Sequence, residues 1–149
     1  MKALKAIFIL LAAFLVSAPA FGAGGIAVIV NNAGPLGGLT ESDIKDIYLG
    51  NIRFVEGVKI TALHYKEGPV KDAFLKAMVG KDSFKYRQYW TKKTFQDGTP
   101  SPVTKTSPAD IASAVTGNRG AIAYLPESEL GDATGVRVIT KLDGRQQAP

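Results

Sequence analysis

"VKITALHYKEGPVKDAFLKAMVG", Val58 to Gly80, changes its backbone period midway. Val58 to Tyr65 alternates well enough to read as a strand, and Glu67-Gly68-Pro69 then turns the chain. Beyond the turn, Val70, Ala73, Phe74, Ala77 and Met78 fall at i, i+3, i+4, i+7 and i+8, the apolar stripe of an amphipathic helix. Pro69 suits the first helical turn, where its missing N–H costs nothing, and Gly80 closes the segment. Asp72 and Lys76 are spaced for an i,i+4 pair on the wet face.

The flanking sequence carries the same α/β punctuation. "GIAVIVN" (25–31) is a short β-branched run, expected to be a buried strand. "LTESDIKDIYLG" (39–50) reads as a helix with Thr40 as N-cap, Asp43 three residues on, a Leu39–Ile44 staple and Gly50 as the stop. Its buried face is Ile44, Ile47 and Tyr48. "KDSFKYRQYWTKKTF" (81–95) predicts a further helix with Tyr86, Tyr89, Trp90 and Lys93 on one side. "QDGTPSPVTK" (96–105) reads as loop. "SPADIASAV" (107–115) restarts a helix with Ser107 as cap, Pro108 first and Asp110 completing a capping box. "GAIAYL" (120–125) and "GVRVIT" (135–140) are short strands, followed by a polar tail from about 141. The order β-α-β-α-α-α-β-β indicates an α/β domain with one core.

"MKALKAIFILLAAFLVSAPAFGA" opens the chain with a basic start (Lys2, Lys5), an apolar run from Ala6 to Val16 and Ala18-Pro19-Ala20. That is the pattern of a secretory signal cut after Ala20, which places the remaining domain, 21–149, in the periplasm. Losing Lys2 and Lys5 lowers the formal charge from +5 to about +3, compatible with small anions and too weak to argue for nucleic acid. The absence of cysteine excludes disulfides, a thiolate nucleophile and a lipidated N-terminal cysteine.

Enzyme chemistry finds little support. A serine hydrolase needs a histidine base, and His64 stands alone with no G-x-S-x-G around any serine. One histidine and scattered carboxylates offer no metal-ligand spacing, so no metal or cofactor is expected. The rings around Trp90, interleaved with Lys81, Lys85, Arg87, Lys92 and Lys93, could form a stacking platform. They read better as core aromatics with a solvated basic side, which leaves Phe74, Met78, Tyr86, Tyr89 and Trp90 in the core.

The turn at 66–71 is the remaining candidate. A helix start presents backbone N–H groups and the positive end of the dipole, and Lys66 and Lys71 flank it. Pro69 removes one donor and Glu67 adds a negative charge, so an anion site and a plain structural turn both remain open. "GNRGAIAYL" (117–125) likewise reads either as a helix stop and turn or as a loop that places Arg119 at a cleft edge.

"LTESDIKDIYLGNIRFVEGVKITALHYKEGPVKDAFLKAMVG", "YWTKKTFQDG" and "GNRGAIAYL", in this order, resemble the phosphate ABC transporter substrate-binding family, in particular its short, single-lobe periplasmic members. The resemblance covers nearly all of the chain after residue 20. It implies a type II periplasmic-binding-protein-like fold, a single lobe with a mixed sheet flanked by helices, and recognition of phosphate or a similar oxyanion without chemistry. By position, Lys66 stands near the family's phosphate-binding arginine, and Glu67, Gly68, Pro69 and Val70 stand near its glycine-serine-glycine-threonine run, of which Gly68 alone matches. The expected ligand set is Lys66, Glu67, Gly68, Val70 and Lys71, assisted by His64, Tyr65 and Arg119. A single lobe leaves an anion open to water on one side, which implies weak binding, a homodimer that rebuilds the cleft, or loss of the ligand. An ABC permease or another periplasmic protein is the implied partner. The alternative is an interaction or sensory module that kept the fold and lost the ligand.

Overall fold

The computed structural model describes residues 25–143, so the expected signal segment and the end of the tail lie outside the described residues. A five-stranded mixed sheet has the order β5-β4-β6-β1-β7. Its strands are β1 (Ile26–Asn31), β4 (Thr61–His64), β5 (Val103–Thr104), β6 (Ala121–Pro126) and β7 (Val136–Leu142). β4 runs parallel to both β5 and β6, whereas β1 runs antiparallel to β6 and β7. A separate hairpin pairs β2 (Phe54–Val55) with β3 (Val58–Lys59). Every residue of β1 and β6 is buried, as expected of strands covered on both faces. The α/β fold class, a mixed sheet flanked by helices, is the one expected.

The helices are α1 (Glu41–Tyr48), α2 (Pro69–Phe74), α3 (Ser83–Asp97) and α4 (Pro108–Thr116). α1 begins on a complete capping box: Asp43 N–H donates to Thr40 Oγ1 at 3.1 Å, and Thr40 N–H to Asp43 Oδ2 at 2.9 Å. α4 uses half of that device, with Asp110 N–H donating to Ser107 Oγ at 3.1 Å, and it packs on β6 and β1. The core gathers Ile44, Ile47 and Tyr48 from α1, Phe74 from α2, Tyr86 and Trp90 from α3 and Ile111 and Val115 from α4 around the two central strands.

Five local expectations are corrected. The run 58–65 is not one strand: Val58–Lys59 belongs to the hairpin, and the sheet strand starts at Thr61, whose N–H donates to Gly120 O at 2.8 Å. The loop 96–105 contains β5, held because Leu63 and His64 find Val103 and Thr104 in register. The helix after Pro69 turns into a π-helical segment at Leu75–Val79, closed by Gly80 in the left-handed region. The wider turn buries Leu75 and Val79 alongside Met78 and leaves Ala77 exposed. Asp72 does not pair with Lys76; its Oδ1 accepts from Ser83 Oγ at 2.7 Å, tying α2 to the start of α3. At the C-terminal end, β7 runs into the stretch expected to be tail, because Lys141 and Leu142 pair with Ala27 and Ile26.

Candidate functional site

A recess of about 250 Å³ opens beside the C-terminal ends of β4 and β5. His64 and Tyr86 form its aromatic wall with Trp90; Lys71 comes from α2, Ser83 and Arg87 from α3, and Ser101 and Thr104 from the segment around β5. The sheet register brings these together: His64 ends β4 and lies opposite Thr104.

The wall is a closed hydrogen-bond chain. Tyr86 Oη donates to Tyr48 O at 2.8 Å, which uses its one proton. The contact of 2.9 Å between Tyr86 Oη and His64 Nε2 is therefore donated by the imidazole, so the proton sits on Nε2. His64 Nδ1 then accepts from Tyr124 Oη at 2.7 Å. Trp90 Nε1–H donates to Tyr48 O at 3.1 Å, and Tyr48 Oη donates to Leu63 O at 2.9 Å. Phe74 stacks on Tyr124 with centroids 3.7 Å apart. Burial, reinforced by the Lys71 charge, lowers the His64 pKa to about 3, so the ring stays neutral. Burial pushes the Tyr48, Tyr86 and Tyr124 phenols up. With both its nitrogens engaged, His64 shapes the recess and has no donor left for a ligand, contrary to the assisting role expected of it.

The polar side is different in kind. Lys71, 9 % exposed, sets its Nζ 2.5 Å from Glu67 Oε1 across one helical turn. Arg87 is exposed at the mouth. Ser83 spends its proton on Asp72. Lys71, Arg87, Ser101 and Thr104 are the groups that can donate into the space. Gly68 begins α2 with φ 140°, a conformation a side chain would strain, and Asp72 N–H donates to Gly68 O at 3.0 Å. The amides of Val70 and Lys71 precede that bond.

The structure thus brings His64, Glu67 and Lys71 together and separates the other expected residues. Lys66 is exposed and rests its Nζ 5.6 Å from the centre of the Tyr65 ring, away from the recess lining. Tyr65 is buried; its hydroxyl donates to Glu129 Oε2 at 2.5 Å, and burial, with that bond, pushes its pKa up to about 12. Gly68 and Val70 support the turn without lining the recess. Arg119 lies at the opposite end of the sheet. β4 and β6 are parallel, with Thr61 opposite Ala121, so the loop before β6 sits at the start of β4 while the 64–71 turn follows its end. There Arg119 Nε–H donates to Ala33 O at 3.2 Å. A Cβ on Gly120 would stand 2.0 Å from Lys59 O, so this neighbouring crossing requires glycine. Ser83, Arg87, Ser101 and Thr104 were missed by sequence reasoning, although Arg87 belonged to the basic series noted around Trp90.

No protein-family model and no curated protein sequence matches the chain. Solved structures do. An ABC-type phosphate transport receptor from Vibrio cholerae superposes with a TM-score of 0.58 at 20% identity, over 80% of this chain and 48% of the receptor. A protein assigned as a phosphate ABC transporter substrate-binding protein, with bound phosphate, from Clostridium perfringens gives 0.60 at 27% identity, over 78% and 44%. A protein assigned as phosphate-binding from Planctomyces limnophilus gives 0.55 at 14% identity, over 82% and 43%. The chain spans less than half the length of each. Among the described residues, no helix is long and apolar enough to cross a membrane. The described residues have the periplasmic-binding-protein-like fold of the phosphate ABC transporter substrate-binding proteins, in a single-lobe form.

Proposed function

We propose that this chain is a periplasmic solute-binding-like protein that binds phosphate or a similar small oxyanion, in the service of ABC-type uptake. The observation that carries the reading is the recess in which Lys71 and Arg87 converge with Ser101 and Thr104, in a fold shared with phosphate receptors. Arg87 supplies the planar, permanently charged fork that Lys66 lacks, and two hydroxyls replace those missing from the turn. The anion has to displace Glu67 from Lys71, which holds affinity down. No step of bond making or breaking is involved. Export rests on the leader pattern at residues 1–20.

The Glu67–Lys71 pair also favours the second reading, an interaction or sensory module in which a carboxylate of the chain occupies the anion's place. Calorimetric titration of the protein from Phe21 onward with phosphate at low salt separates the two. The oxyanion reading expects saturable 1:1 heat that fades as salt is added, at least a tenfold loss in Arg87→Gln, and an unchanged melting temperature in that variant. A flat trace from folded protein overturns it in favour of the interaction module.

A further inference from the structure

α3 has an outer face of which the oxyanion reading uses Arg87 alone. Phe84 is 63% and Phe95 90% exposed, and with Gln88 and Thr91 they follow the i, i+4, i+7, i+11 spacing of one helical stripe. A trough of about 470 Å³ lies along it, lined by Phe84, Arg87, Gln88, Thr91, Lys92 and Phe95. Both phenylalanines line this one trough, which sets them apart from the singly scattered apolar residues that are normal on a protein surface.

The charge on the face identifies the cover. α3 carries Lys85, Arg87, Lys92 and Lys93 and has no acidic residue before Asp97, which pairs with Lys93 at 3.5 Å. Among the described residues, Arg87 and Lys92 take part in none of the ion pairs. We infer that the outer face of α3 docks an acidic, amphipathic segment of another protein, with one apolar side chain at each phenylalanine and carboxylates between them over Arg87 and Lys92. A second copy of the chain fits poorly: two-fold antiparallel pairing would set Phe84 by Phe95 but press Arg87 and Lys92 against their own like charges. A lipid surface fits poorly too, because Gln88 and Thr91 interrupt the continuous apolar face that interfacial helices present. Phe84 and Phe95 are three turns apart, about 16 Å along the axis, the length of a short helix or a strand of about five residues.

The inference shares Arg87 with the oxyanion reading but is tested apart from it, since Phe84, Lys92 and Phe95 do not line the recess. The probe is a labelled helical 15-residue peptide with leucines eleven positions apart and glutamates between them, followed by fluorescence anisotropy against the full chain. A control peptide carries lysines in place of the glutamates. The acidic peptide is expected to bind in the micromolar range, at least tenfold tighter than the basic one. The double substitution Phe84→Ala/Phe95→Ala and the single Lys92→Glu should each weaken it at least fivefold with the circular dichroism spectrum unchanged. Equal binding of the two peptides, absence of binding at millimolar peptide, or unaltered binding by both variants overturns the inference. Concentration-dependent dimerisation, or sedimentation with anionic phosphatidylglycerol vesicles, that is abolished by Phe84→Ala/Phe95→Ala while the acidic peptide fails to bind overturns it in favour of self-association or a membrane.

Discussion

The two faces of α3 are both aromatic and have opposite fates. Tyr86 and Trp90 turn inward and are buried, while Phe84 and Phe95, the rings without a polar atom, turn outward. Hydrogen bonding explains the inner set. Tyr86 and Trp90 both donate to Tyr48 O at the end of α1, and Tyr89 Oη donates to Leu49 O at 2.6 Å. These carbonyls stand at a helix C-terminus, where the last turn has no amide to offer them, so polar rings are worth more there than plain ones. The outer phenylalanines have no such task. Aromatic content alone therefore says little about burial; the polar handle on the ring decides which face goes in.

The sharpest way to break this contrast is Trp90→Ala. It removes a buried ring and a donor together and should destabilise the fold by about 3–5 kcal/mol, read from urea unfolding midpoints at constant m. Acid is the next test. His64 is neutral in the folded state with its pKa lowered to about 3, whereas the unfolded residue titrates near 6.5. The unfolded chain binds the extra proton, so this contribution is complete above pH about 6.5 and is lost as pH falls toward 3, with a slope of up to ~1.4 kcal/mol per pH unit. Urea midpoints measured at pH 7, 5.5 and 4 should fall in that order, and His64→Gln should flatten the part of the decline due to this ring. A decline of equal slope in the variant would assign the effect to other groups. The smallest effect belongs to the outer face: Phe95→Ala should change stability by less than about 0.5 kcal/mol, because little apolar surface leaves contact. A loss above about 1.5 kcal/mol would show that Phe95 is packed in solution.

The same contrast separates what could be read in the sequence from what could not. β1, α1, α4 and β6 were legible because each carries its own signal: a β-branched run, a capping pair or a clear period. The core roles of Phe74, Met78, Tyr86 and Trp90 followed from helical spacing. β5 was not legible, since Val103 and Thr104, two residues directly after Pro100, Ser101 and Pro102, show no period and exist as strand only because β4 lies alongside. Leu75 and Val79 were hidden by the π turn, which shifts the buried stripe partway along a helix. The recess was half visible. Lys71 and Glu67 lie within the turn that drew attention, but Arg87, Ser101 and Thr104 join it through the sheet register and the packing of α3, which no local pattern encodes. Arg119 was misplaced for the converse reason. Its flanking glycines mark a tight crossing, and the parallel pairing of β4 and β6 assigns that crossing to the far end of the sheet.

Arg87 belongs to both the recess and the trough on α3. A guanidinium has one positive charge to share, so an oxyanion held on one side lowers the attraction felt by a carboxylate on the other. Such a penalty is reciprocal by thermodynamic necessity: whatever factor the inner ligand imposes on the outer partner, the partner imposes on the ligand. Through a single side chain, the loaded and unloaded forms of the protein would present measurably different surfaces without any movement of the backbone.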